Sequence, residues 1–204
     1  MRTRLGAAAL LVGVAAFVVT LLVALNTAGT TYVWHLNLLS DLGDSGCRVR
    51  AGRPICSPGH VAFNVGLVVT GLLILAGGLG LLRWWGAMLG GGTIVMGAGL
   101  VIAGAFPAGG DGGVHLAGVV LALVVPNLAL LASSIRPPTP WLASHRALRA
   151  TLATIALLLC AESRLPVVLV PRGAGELVIV GALVVAMAFE AGRVLVAPRH
   201  ALSR

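Results

Sequence analysis

The sequence predicts an all-α protein: a polytopic transmembrane bundle of six helices, with both termini in the cytoplasm. Composition is the first observation behind this. Mean hydropathy is +1.03, with 58% hydrophobic and 10% charged residues, whereas roughly a quarter of the residues of a soluble domain are charged. Segment length is the second: the apolar runs approach the roughly 20 residues a helix needs to cross the hydrocarbon core, and they exceed the length of a barrel strand. Charge placement is the third, because all fourteen basic residues are arginine and they fall unevenly between the ends of the runs.

In chain order the expected spans are 5–25, 61–82, 85–106, 114–135, 146–161 and 177–196, within one domain covering 1–204. The first follows the MRTR flank of a signal peptide. Its apolar core is longer than the roughly 7 to 15 residues of a signal sequence, so it reads as a retained helix. Residues 26–60 form a polar outer loop. Spans two and three are separated by Arg83, and Trp84 and Trp85 beside it mark an interface. The fifth apolar stretch is short and is followed by ESRLPVVLVPRGAGE, where Pro166 and Pro171 bracket an apolar island that reads as interfacial.

With six spans and the N-terminus inside, Arg2, Arg4, Arg83, Arg136, Arg146, Arg149, Arg193, Arg199 and Arg204 are cytoplasmic. Arg48, Arg50, Arg53, Arg164 and Arg172 are outside, and nine against five favours this orientation. The formal charge of +8 is then explained by contact with anionic lipid headgroups. No basic stripe with interleaved aromatics occurs, so nucleic acid is not an expected partner. The acids run the other way: Asp41, Asp44, Asp111, Glu162 and Glu176 fall outside, and only Glu190 lies toward the cytoplasm.

Span three carries glycines at intervals of seven, Gly90, Gly97 and Gly104, with Gly92 and Gly99 on a neighbouring stripe. Seven residues are nearly two turns, so each stripe holds one helix face and lets another backbone approach. This predicts a central position for the helix. No strand precedes the glycines to make a phosphate loop.

The outer end collects the residues that carry chemistry. His35, Asp41 and Asp44 follow span one, and His60 opens span two with Asn64 one turn deeper. Asp111 and His115 lead into span four, and Glu162 with Arg164 closes span five. Ionisable groups gathered near a membrane interior define a candidate site. Its expected acid, base or metal groups are His115, His60 and Asp41; the expected substrate contacts are Arg164, Glu162, Asn64 and His35. Three readings compete. A divalent metal held by His and carboxylate would activate water against a lipid ester, amide or phosphate bond. A His and a carboxylate would act as acid and base without metal, or stabilise an isoprenoid carbocation. Alternatively, Asp111, Glu162 and Arg164 pair with one another and cap helices, without chemistry. Haem is disfavoured because His35, His60 and His115 share one end instead of facing each other at matching depth. The aspartates are expected to meet the histidines of later helices. Asn127 reads as an interhelical hydrogen-bond donor. Cys47 and Cys56, in the same outer loop, are expected to form a disulfide, while Cys160 reads as an inert packing residue.

The segments SDLGDSGC, CSPGHVAFN, GAFPAGGDGGVHLAGVVLALVVPNLALL and AESRLP together resemble the bacterial membrane proteins grouped as domain of unknown function 998. The resemblance rests on Ser40 to Gly43, Pro58, Asn64, Gly104 to Pro107, His115, Asn127, Glu162, Arg164 and Leu165. It spans nearly the whole chain. Ser163, inserted between Glu162 and Arg164, departs from the pattern. The resemblance implies six helices in a bacterial plasma membrane and gives weight to the outer cluster, but it supplies no reaction. The leading expectation is an enzyme acting on a lipid or isoprenoid at the outer leaflet. The alternative is a non-catalytic membrane protein that stabilises a partner or assembles with itself. A transporter is disfavoured because no broken-helix repeat is apparent.

Overall fold

The computed structural model describes residues 1–198, so the cytoplasmic placement of Arg199 and Arg204 falls outside the described residues. Helix α1 is Arg2–Ala28. The helical stretch His60–Ala105 is 46 residues long, about 69 Å at 1.5 Å per residue, more than twice the hydrocarbon thickness. It is not one rod. Gly86 sits at φ 72°, ψ 175° and divides it into α2 (60–85) and α3 (87–105), a backbone region open essentially to glycine alone. The reversal therefore takes a single residue, and Trp85 stays helical. With 0% of its surface exposed, Trp85 is packed inside the bundle beside this turn.

Helix α4 spans Gly112–Ile135 and contains a π-helical stretch, Val120–Val124. A one-turn helix, Pro140–Ala143, leads to α5, Arg146–Glu162, and α6 is Arg172–Val196. Four of the stretches are long and apolar enough to cross a membrane: Arg2–Ala28, His60–Ala105, Gly112–Ile135 and Arg172–Val196. Helix α5, at 17 residues, is the short one. The fold is not purely α, because strands β1 (Arg48–Arg50) and β2 (Arg53–Ile55) form an antiparallel hairpin with Arg50 opposite Arg53. Its two turn residues, Ala51 and Gly52, have φ of 50° and 77°, the combination that matches strand twist in a two-residue turn. Cys47 and Cys56 close the hairpin as a disulfide, with an S–S distance of 2.00 Å.

Both glycine stripes of α3 are used, each by a different neighbour. A Cβ on Gly97 would lie 2.6 Å from the Gly71 carbonyl oxygen, and one on Gly104 would lie 2.6 Å from that of Asn64, both on α2. On the second stripe, a Cβ on Gly99 would lie 2.4 Å from the Ala122 nitrogen of α4. Helix α3 is thus clamped backbone to backbone between α2 and α4. Small residues at a helix interface permit this, and close van der Waals packing replaces the hydrophobic drive that lipid removes.

The two ends of the bundle differ. At one end Arg4 donates to the Ala197 carbonyl at 2.5 Å. There Arg149 and Arg193 converge on Glu190, at 2.6 and 2.9 Å. Arg149 also donates to the Leu142 carbonyl, and Arg193 donates to the Trp141 carbonyl and covers the Trp141 ring. Arg149 is 0% exposed. It is an internal ion-pair residue, which corrects its expected place among headgroup-facing arginines. The opposite end holds residues 29–59 and the hairpin, and is termed the loop end here.

Candidate functional site

At the loop end the acids are committed to the protein itself. Asp41 accepts from Arg53 at 3.0 Å, from Asn37 at 3.2 Å and from the Leu38 backbone N–H at 2.9 Å. Asp44 accepts from Arg48 at 2.5 Å and from the Gly46 N–H at 2.9 Å. The aspartates therefore meet arginines of the hairpin and not histidines, which corrects the expected pairing. Asp111 caps α4, accepting from the N–H groups of Gly113 and Val114 at 3.0 and 3.1 Å. Glu162 accepts from Val170 N–H at 3.1 Å and from Leu169 N–H. Asp111, Glu162 and Arg164 form no ion pair with one another among the described residues.

Around these groups lie two adjoining cavities. The outer one, of about 620 Å³, is bordered by Ser40, Asp41, Arg50, Arg53, His115, Glu162, Arg164, Arg172 and Glu176. It falls within the roughly 300 to 1,000 Å³ of ligand pockets. The inner one, of about 70 Å³, is almost wholly apolar and runs between Phe17, Phe63, Leu67, Met96, Leu100 and Leu183. Ser40, His115 and Glu176 border both, so they stand where the polar chamber meets the apolar recess.

Backbone geometry orients His115. Its Nδ1 faces the carbonyl oxygens of Phe106 at 2.8 Å and Ala103 at 3.3 Å. Carbonyls only accept, so Nδ1 carries the proton, and in the neutral ring the lone pair is on Nε2. Nε2 is buried and has no hydrogen-bond partner among the described residues. The fold supplies this arrangement through the close approach of α3 and α4, where a Cβ on Gly118 would lie 2.7 Å from the Ala103 nitrogen; the π-helical stretch follows directly after this contact. Single-turn π segments inside α-helices are frequent at functional positions. Just beyond it Asn127 donates to the Leu123 carbonyl of its own helix at 2.7 Å, a correction to the interhelical bond expected of it.

The other candidates lie elsewhere. His60 Nδ1 donates to the Ser57 carbonyl at 2.9 Å, Asn64 donates to the Gly43 carbonyl at 2.9 Å, and the His35 ring stands edge-on to Trp34 at 5.4 Å. None of the three borders either cavity. Arg164, Glu162 and Asp41 do border the chamber, together with His115. Glu176 was legible as an outer-end acid but was not counted as a site residue. Its signal was the spacing Glu176, Ile179, Val180, Leu183, which puts a carboxylate on the buried stripe of α6. Glu176 accepts from the Leu39 N–H at 2.6 Å and so ties α6 to the loop. Tyr32, beneath the same loop, donates to the Asn37 carbonyl at 3.3 Å. Burial, then the carboxylates of Glu176 and Asp41, hold its phenol well above the ordinary tyrosine range.

Among the described residues no three His, Cys, Asp or Glu side chains gather as a metal ion requires. No protein-family model, curated protein or solved structure matches the chain, and none of the three comparisons supports the family resemblance.

Proposed function

We propose that this chain is a multi-pass membrane protein that binds a lipid or isoprenoid from the outer leaflet and catalyses acid–base chemistry on it, with both termini cytoplasmic. The observation that carries the reading is the buried, unpartnered Nε2 of His115 at the junction of a polar chamber and an apolar recess. An amphipathic substrate fits that junction, with its headgroup in the chamber and the start of its tail in the recess. A base at the boundary reaches the bond between them. His115 Nε2 takes the proton of an attacking water or hydroxyl and returns it to the leaving oxygen, while the carbonyls on Nδ1 hold the ring in the required tautomer. Asp41 serves as a positioning residue, since its oxygens already hold Arg53, Asn37 and Leu38. The orientation is supported by the excess of arginine at the end opposite the loop.

A second reading has its own support: Asp41, Asp44 and Glu162 are each committed to partners within the chain, as in a purely structural network. The test is His115→Ala and His115→Gln in the native membrane, scored by lipid profile and by the thermal stability of the purified protein. An altered lipid profile with stability preserved supports catalysis. Lowered stability with an unchanged profile supports the structural role and removes the catalytic one.

A further inference from the structure

The loop end carries five arginines, Arg48, Arg50, Arg53, Arg164 and Arg172, where the distribution rule for membrane proteins disfavours them. Two are accounted for: Arg48 pairs with Asp44 and Arg53 with Asp41. The remaining three, Arg50, Arg164 and Arg172, all border the outer chamber, and among the described residues none has a carboxylate partner. They arrive from separate parts of the chain: the tip of the disulfide-closed hairpin, the segment after α5 and the start of α6. Arg50 is steadied by one bond, from Nη1 to the Ala108 carbonyl at 3.2 Å.

Three carboxylates border the same chamber, but each already accepts from a protein donor: Asp41 from Arg53, Glu162 from Val170 N–H and Glu176 from Leu39 N–H. With Arg50, Arg53, Arg164 and Arg172 facing Asp41, Glu162 and Glu176, the chamber lining has four guanidinium groups to three carboxylates, and three of the guanidinium groups are unpaired. Guanidinium forks match the oxygens of a phosphoryl group, and several around one cavity favour a multiply charged anion over a neutral headgroup. The apolar recess continuing from the chamber past His115 argues that the anion is joined to a hydrocarbon chain.

We propose that the chamber is a phosphoryl-headgroup site, with Arg50, Arg164 and Arg172 as its anion contacts, for a lipid or isoprenoid phosphate whose chain enters the recess. This deepens the proposed function by naming the substrate class, and it rests on that reading only for what happens after binding.

The experiment measures binding of farnesyl phosphate, farnesol and inorganic phosphate to the full chain purified in neutral detergent, by native mass spectrometry and thermal shift. Farnesyl phosphate is expected to bind and stabilise, farnesol and inorganic phosphate at least tenfold more weakly. R164Q combined with R172Q is expected to weaken farnesyl phosphate tenfold or more, R50Q less, and R83Q at the opposite end not at all. Because among the described residues the side chains of Arg83, Arg164 and Arg172 have no hydrogen-bond or ion-pair partner, these variants should keep the unliganded melting temperature, which reports whether each is folded. Farnesol binding as tightly as its phosphate, or an affinity indifferent to R164Q/R172Q in a folded protein, would overturn the site. Inorganic phosphate binding as tightly as farnesyl phosphate would overturn the lipid and leave a soluble-phosphate site. Binding that follows this pattern while His115→Ala changes no lipid keeps the site and removes the catalytic reading. The reverse pattern, headgroup-indifferent binding with His115-dependent turnover, keeps catalysis and removes the phosphoryl site.

Discussion

Arg149 and Glu190 meet at 2.6 Å with each side chain 1% exposed, joining α5 to α6 deep in the end opposite the loop. Removing one partner strands a buried charge, which costs about 3 to 5 kcal/mol. Glu190→Ala is therefore expected to lower stability by that order, because it orphans both Arg149 and Arg193. Denaturation in mixed micelles measures it. Arg149→Met combined with Glu190→Leu should recover much of the loss, and full additivity of the two single losses would contradict the pairing.

The backbone contact of α3 with α4 makes a second prediction. A Cβ on Gly99 would lie 2.4 Å from the Ala122 nitrogen, so Gly99→Val forces the helices apart at the π-helical stretch that follows the His115 turn. Overpacking costs about 1 to 3 kcal/mol, occasionally more. Gly91 has open space around it, and Gly91→Ala is expected to be near neutral. Thermal unfolding of the two variants side by side checks the contrast.

Tyr32 is the single tyrosine of the chain, so its ionisation can be followed by ultraviolet difference absorbance without interference. Its phenol is held above the ordinary value of 10.0 by burial and by the neighbouring carboxylates. The folded state therefore keeps this proton more tightly than the unfolded chain does. The sign follows from linkage: the contribution to stability is fully present below pH about 10, the unfolded value, and is lost as pH rises beyond it. Titration of the native protein at the ordinary tyrosine value would contradict this burial.

The Cys47–Cys56 bond closes the hairpin that presents Arg50 and Arg53. Opening a short loop of this kind costs about 2 to 3 kcal/mol in the chain-entropy account. Cys47→Ser with Cys56→Ser is expected to lower stability by no more than that and to weaken headgroup binding by loosening Arg50. Alkylation of the wild type without reductant should leave its mass unchanged at Cys47 and Cys56, and labelling of both would show the thiols to be free.

Much of the helical framework was legible in the sequence. Apolar run length and composition determine the helical stretches long enough to cross a membrane, because lipid satisfies no backbone group and a helix is the local solution. The seven-residue spacing of Gly90, Gly97 and Gly104 likewise announced a close-packed face. Pairing partners were not legible. Asp41 and Asp44 lie beside His35 in sequence, yet Asp44 bonds to Arg48 four residues on, and Asp41 bonds to Arg53, which the hairpin turn at Ala51 and Gly52 carries back toward it. Helical spacing says which face a residue occupies but not which helix faces it, so only the tertiary structure decided that Glu176 and Ser40 join His115. It also decided that His60, Asn64 and His35 stay outside the cavities, and that Arg149 turns inward to Glu190. Ion pairs and cavities depend on contacts between residues far apart in the chain, and those are set by how whole helices pack.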